Sequence, residues 1–260
     1  MDTVLALTRE TFETVIATAT PEEWKVRVEL AAAYRLVAHF GWDDLIFTHI
    51  SARVPGPEHH FLINPYGLTF DEITASSLVK VDLDGRIAAA SSYDINPAGF
   101  TIHSAVHAAR EDAHCVLHLH TIPGVAVSAH AEGLLPLNQT ALLVASDLAY
   151  HEYEGLAFDL AERPRLVADL GDKHAMLLRN HGTLALGDSV PAAFLTAYFL
   201  ERACAMQVAT LAGHPALHLP SDDVRALVGR QAAFSRGKID TLAWAPLLRK
   251  LDRLDSSYKG

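Results

Sequence analysis

Cysteine is scarce in this chain. Only Cys115 and Cys204 occur in 260 residues, each within an apolar run. That excludes a disulfide framework and points to a reducing, cytoplasmic setting. Basic residues are also few: 21 Lys and Arg stand against 31 Asp and Glu, a net charge of -10. No basic stripe exists to neutralise phosphates, so nucleic acid is not an expected partner. No stretch reaches the roughly 18 apolar residues that a membrane span requires, so no membrane partner is expected either. The segment Met1–Ala19 carries Asp2, Glu10 and Glu13 and lacks the basic start and apolar stretch of a signal peptide. Internal repeats and low-complexity segments are absent. Apolar residues, by contrast, make up 50% of the chain, enough for one sizeable buried core.

Turn and cap signals divide the chain into alternating elements. Pro21-Glu22-Glu23 opens a helix running to about Gly41, with acids in its first turn where the helix dipole favours them. Short strands are expected over 45–54, 60–63 and 78–82, separated by Pro55-Gly56-Pro57 and Asn64-Pro65-Tyr66-Gly67. A helix from Asn96 or Pro97 to Arg110 leads into a strand through His118 and His120. Another helix begins near Pro123 and ends near Gly133. Further on, a strand over 140–144, a helix over 157–170, a strand over 175–178 and a long helix from Ser189 to about Gly213 are expected. This alternation is that of an α/β domain with helices on the faces of a sheet. Residues 1–213 are read as that domain, with its core at about 25–210. Residues 214–260 are read as a helical extension packing on the domain or on a neighbouring subunit.

The chemistry concentrates in histidine. In Cys115-Val-Leu-His-Leu-His120-Thr, His118 and His120 are two apart on a strand and therefore share a face. His181, in Leu178-Arg-Asn-His-Gly182, arrives from a separate strand-to-turn segment. With 15 His in the chain, one His-x-His pair is unremarkable by itself. Three neutral imidazoles without a thiolate suit Zn above all, and also Fe, Mn or Co, and leave coordination positions open for a substrate.

Several spaced motifs, taken together, resemble the class II aldolase/adducin family over about residues 25–210. They are Phe47-Thr-His-Ile-Ser-Ala-Arg53, Ile63-Asn-Pro-Tyr-Gly67, Asn96-Pro-Ala-Gly-Phe-Thr-Ile-His103, Val116-Leu-His-Leu-His-Thr121 and Leu178-Arg-Asn-His-Gly182. The runs Ile95–His103 and Tyr150–Gly155 are closer to the adducin head than to the sugar-phosphate aldolases. The resemblance implies a three-layer α/β/α sandwich around a central mixed sheet, and a homotetramer with sites near subunit interfaces. It also implies one divalent metal per subunit, held by His118, His120 and His181.

The aldolase machinery beyond those three histidines does not carry over. The position of the family's metal-binding glutamate is Gly99, and its phosphate-binding serine pair reads Pro97-Ala98, with no hydroxyl and, at Pro97, no N–H. His49 replaces a phosphate-site asparagine and Tyr66 a turn threonine; the aldolase tyrosine falls near Gln139 or Thr140. Sugar-phosphate cleavage is therefore not expected, because phosphate needs several donors. The expected activity is that of a metal-dependent lyase or decarboxylase on a small, anionic, non-phosphorylated oxo, hydroxy or aromatic carboxylate. A non-haem iron oxygenase and a non-catalytic adducin-head-like module are the alternatives.

His49, His103, Tyr150 and His151 are the candidates for proton transfer. Each also has a structural alternative: a backbone-satisfied strand histidine for His49, packing beside His107 for His103, and interface aromatics for Tyr150 and His151. Tyr66, Gly99, Arg179 and Asn180 are the candidate substrate-binding positions, with an ion pair as the alternative for Arg179. Thr121 and Glu201 are expected to support the metal ligands from behind. Glu201 sits in an apolar run and needs a partner, either a ligand histidine's N–H or an arginine at 179 or 202.

Overall fold

The computed structural model describes residues 9–157, 159–213, 216–235 and 238–260. Residues 1–8 of the N-terminal segment and position 214, where the extension was expected to begin, lie outside them. Helix α1 spans Arg9–Thr18 and α2 Pro21–Phe40. The start of α2 is set as the sequence implies: the Thr20 side chain accepts from Glu23 N, and Pro21 occupies the first turn, where no N–H is missed. Strands β1 (His49–Arg53), β2 (Phe61–Ile63) and β3 (Val79–Val81) follow, then α3 (Pro97–Ala109) and β4 (Cys115–Leu119).

Next come α4 (Ile122–Ser128), α5 (Gln139–Ala145), β5 (Leu148–His151), α6 (Arg163–Leu170), β6 (Ala175–Leu178) and β7 (Gly182–Gly187). The long α7 (Val190–Leu211), α8 (Asp222–Ser235) and α9 (Lys238–Leu254) complete the chain. Two expectations are corrected. Residues 140–144 are helical, because the Asn138 side chain caps the Ala141 N–H at 3.0 Å and starts α5. The helix expected over 157–170 is a short 3-10 turn at Leu160–Glu162 followed by α6.

Among the described residues, seven strands form one mixed sheet in the order β3-β2-β1-β4-β7-β6-β5. Only β5 and β6 run parallel; the other neighbours are antiparallel. Alternation along β4 assigns the two faces. Cys115, Leu117 and Leu119 join Leu30, Leu36 and Val37 of α2 and Phe194 of α7 in one buried cluster. Val116, from the opposite face, joins Ile102 and Val106 of α3 and Leu166 and Leu170 of α6. Helices thus cover both faces, giving the α/β/α layering. Trp244 and Leu251 of α9, with Tyr258 beyond it, are buried in the α2 and α7 cluster. Among the described residues, no helix is long and apolar enough to cross a membrane.

One buried polar device secures the sheet beside the site. Tyr34 Oη accepts from Ile50 N at 2.7 Å and Asn64 N at 3.1 Å, while it also contacts Ile50 O and Asn64 Oδ1. A phenol from α2 thereby ties β1 to the start of the loop after β2, one residue from His49.

Candidate metal centre

His118 points from β4 toward the α3 layer, and its register partners are His49 on β1 and Leu184 on β7. His120 lies just beyond the strand, on the same face. His181 reaches them through a tight turn between β6 and β7. Asn180 adopts φ 58° there, a left-handed conformation that Asn tolerates better than most residues. His181 N bonds back to Leu178 O at 3.1 Å. Gly182 allows the turn to press against β4, since a Cβ at that position would lie 2.5 Å from Leu119 O. The three rings consequently cluster with centroids 4.7–4.9 Å apart, and one ring nitrogen from each lies within 4.8 Å of the other two.

The hydrogen bonds behind the rings fix which nitrogen faces inward. His118 Nδ1 lies 3.0 Å from Thr183 O. A carbonyl only accepts, so Nδ1 donates and Nε2 carries a lone pair. His120 Nδ1 lies 3.1 Å from Asp44 Oδ2, and the same logic leaves its Nε2 bare. These two Nε2 atoms are 2.9 Å apart. Two lone pairs at that distance repel unless a cation lies between them. Nitrogens about 2.0–2.1 Å from a shared zinc ion lie about 2.9 Å apart at a right angle and about 3.4 Å apart at the tetrahedral angle, so the spacing is at the short end of what a shared metal gives. Burial supports the neutral form the ligands need. It holds His118 well below the ordinary histidine range, and with the neighbouring His120 and His151 it lowers His181 to about 4.

His49 stacks on His118, ring centroids 5.3 Å apart with 27° between planes, and burial lowers its pKa to about 3. It fills the space above Gly99: a Cβ there would lie 2.5 Å from His49 Cδ2. His49 therefore takes up the room that a side chain at 99 would need. His103 is fully buried and bonds to His49 and Ser51 rather than lining the metal centre.

Other candidates are engaged elsewhere. Tyr150 Oη accepts from Leu134 N at 3.1 Å, and its ring lies under the Arg179 guanidinium, 4.5 Å from the centroid. Arg179 itself donates to His130 O at 2.7 Å and Ala131 O at 3.4 Å, which takes up its Nη1 and Nη2 groups in holding a loop. His151 has both ring nitrogens occupied, Nδ1 by Asp169 at 2.7 Å and Nε2 by Glu162 at 3.3 Å. Tyr66 and Asn180 are exposed.

Glu201 is buried, but among the described residues it bonds to neither a ligand histidine nor an arginine. It accepts from Thr121 Oγ1 at 2.5 Å, and burial raises its pKa to about 7 against that bond. Thr121 in turn caps α4 by accepting from Gly124 N at 3.1 Å. The pair thus braces the backbone after His120. The partners of His118 and His120 are Thr183 O and Asp44 instead. Asp44 had no motif of its own; its only sequence signal is its place in the turn just before the Phe47–Arg53 run.

Residues 28–208 match the family model described as Class II Aldolase and Adducin N-terminal domain. A Caulobacter vibrioides protein named with the class 2 aldolases is 61% identical over 237 residues, spanning 91% of this chain and 92% of that protein. Alpha-adducin of Mus musculus is 50% identical over 190 residues, 72% of this chain and 26% of the adducin. Among solved structures, an aldolase II superfamily protein from Pseudomonas syringae has a TM-score of 0.91 at 52% identity, covering 95% of this chain and 100% of that one. L-fuculose 1-phosphate aldolase from Glaciozyma antarctica PI12 has a TM-score of 0.81 at 25% identity, covering 95% of this chain and 99% of that one.

Proposed function

The chain belongs to the class II aldolase and adducin family, and from that premise we propose that it is a metal-dependent carbon–carbon lyase or decarboxylase. Its substrate is a small, non-phosphorylated oxo, hydroxy or aromatic carboxylate. The observation that carries this reading is the facing pair of Nε2 lone pairs on His118 and His120, 2.9 Å apart beside His181. His118, His120 and His181 hold one divalent ion, with Zn the best match to three neutral nitrogens and Fe, Mn or Co as the other options. When bound, the ion supplies Lewis acidity to substrate oxygens and so stabilises enolate-like charge as a carbon–carbon bond breaks.

The protein's own contribution is to orient and to exclude. Asp44 and Thr183 O keep the ligand lone pairs directed inward. With Gly99 in place of a carboxylate, three neutral ligands leave the charge of a divalent ion uncompensated, which favours an anionic chelating substrate. Pro97 and Gly99 give the neighbouring turn no side-chain donors for a phosphate. Asn180 and Tyr66, both exposed, are read as the groups a substrate meets at the mouth. Exposed apolar side chains flank the site in sequence, including Leu45, Phe47 and Ile122, the last 86% exposed. They support assembly as a homotetramer with sites near the subunit interfaces.

The test is elemental analysis of protein purified under metal-replete conditions, alongside His118→Ala and His181→Ala variants and a decarboxylation assay over small hydroxy and oxo acids. One zinc per wild-type chain, lost in both variants, is expected, with turnover that does not need O2. Equal and low metal in all three proteins would sink the reading. Iron with O2 consumption would replace it with an oxygenase.

A further inference from the structure

Four side chains that are not metal ligands form an unbroken buried line behind the centre. His107 Nδ1 lies 3.0 Å from the Ala113 carbonyl. Ser51 Oγ bridges His107 Nε2 at 2.7 Å and His103 Nδ1 at 2.5 Å. His103 Nε2 then meets His49 Nδ1 at 3.3 Å. All four residues are at most 3% exposed. Two are supplied by one face of β1 and two by successive turns of α3, so the line runs between the sheet and its covering helix.

Its polarity follows from counting hydrogens. The Ala113 carbonyl can only accept, so His107 Nδ1 carries the hydrogen. All three imidazoles are at most 3% exposed and, among the described residues, none bonds to a carboxylate, so nothing offsets the cost of a buried charge and each is neutral. A neutral imidazole has one N–H, so His107 Nε2 accepts and Ser51 donates to it. Ser51 has no second hydrogen to give, so it accepts from His103 Nδ1. His103 Nε2 therefore accepts from His49 Nδ1. His49 Nε2 is left as a bare lone pair with no protein partner among the described residues. Because the far end is a carbonyl, which takes no proton, the line sets a direction and does not conduct protons to solvent.

We propose that this line holds His49 Nε2 as a fixed hydrogen-bond acceptor beside the His118/His120/His181 centre, selecting substrates that present an O–H there. Hydroxy acids are thereby preferred over oxo acids of the same carbon skeleton. The proposal rests on the metal-centred reading above and narrows its substrate class. An oxo group offers only lone pairs, which oppose the lone pair on His49. A hydroxyl on the metal side donates into it. Gly99 is part of the device, because any Cβ at that position would displace the His49 ring.

Neutron diffraction from deuterium-exchanged crystals of the zinc-loaded protein at neutral pH tests the polarity. Deuterium is expected on Nδ1 of His49, His103 and His107 and on none of their Nε2 atoms. Deuterium on His49 Nε2 overturns the proposal, whatever the metal does. Calorimetry on the same zinc-loaded protein with lactate and pyruvate tests the selection. Lactate should bind about 2–10-fold more tightly, the worth of one hydrogen bond. Ser51→Ala should erase that preference and Ser51→Thr should keep it. Equal affinities in the wild type, or a preference that survives Ser51→Ala, overturn the selection. Binding of neither acid overturns the carboxylate reading and the selection together, while the neutron map still decides the polarity.

Discussion

Asp44 Oδ2 and His120 Nδ1 lie 3.1 Å apart although their residues are 76 positions apart in the chain. The carboxylate is the side-chain counterpart of the Thr183 carbonyl on His118: each fixes a ligand's tautomer and leaves Nε2 free for the ion. Partners of this kind typically change metal affinity by about 10–100-fold when removed. Asp44→Ala should weaken zinc binding within that range in a chelator competition at pH 7. Asp44→Asn keeps an acceptor oxygen, so its loss should be smaller. Wild-type affinity in Asp44→Ala would take Asp44 out of the site.

The buried histidines make an acid-sensitive fold. His107 has its pKa lowered to about 3 and His103 is lowered well below the ordinary range, in both cases chiefly by burial. In the unfolded chain both titrate near 6.5. Between about pH 6.5 and 3 the unfolded state therefore binds more protons than the native state, and stability falls as the pH falls through that window. Each such imidazole contributes a slope of up to about 1.4 kcal/mol per pH unit. Urea denaturation of the zinc-loaded protein at pH 7, 6 and 5 should show the loss. A midpoint unchanged over that range would contradict the neutral, buried line.

The parts legible in the sequence were those with local causes. Thr20-Pro21 and Ser189 mark the starts of α2 and α7 through their own caps, and the spacing of His118 and His120 places both on one face. The run at 140–144 looked like a strand because Leu and Val dominate it, whereas Asn138, outside the run, decides for helix. Strand β7 was missed because all six of its residues are buried, which removes the alternation that marks a half-exposed strand. Asp44 and the Glu201–Thr121 bond depend on contacts between distant segments, to which neither periodicity nor motif spacing responds. Tyr150, His151 and Arg179 are chemically suitable, but they bond to the loop and helix packed against them.

Gly99 offers a direct test of the packing above the centre. A methyl at this position would approach His49 Cδ2 to 2.5 Å and its Cγ and Nε2 to 2.7 Å. His49 stacks on His118 and bonds to His103, so it has little room to retreat. Gly99→Ala should cost about 1–3 kcal/mol by overpacking, measured by chemical denaturation. Zinc content should stay at the wild-type level, because His49 is not a ligand. A variant as stable as wild type would mean that the ring moves freely and that the close approach is not a constraint.

Glu201 should act in the opposite pH direction from the histidines. Burial raises its pKa from 4.5 to about 7 despite the Thr121 bond. Over that interval the unfolded chain has already released a proton that the native state retains, so this group's contribution to stability falls as the pH rises from about 4.5 to 7. Above pH 7 the native protein holds a buried carboxylate, at a cost on the order of 3 kcal/mol. Glu201→Gln has no charge to bury, and its amide oxygen can still accept from Thr121. Its thermal midpoint should exceed that of wild type at pH 8 and approach it at pH 5. Equal midpoints at both values would show that the carboxylate is solvated or paired in solution. A lower midpoint at pH 8 would show that its charge is needed to hold Thr121 and the turn after His120.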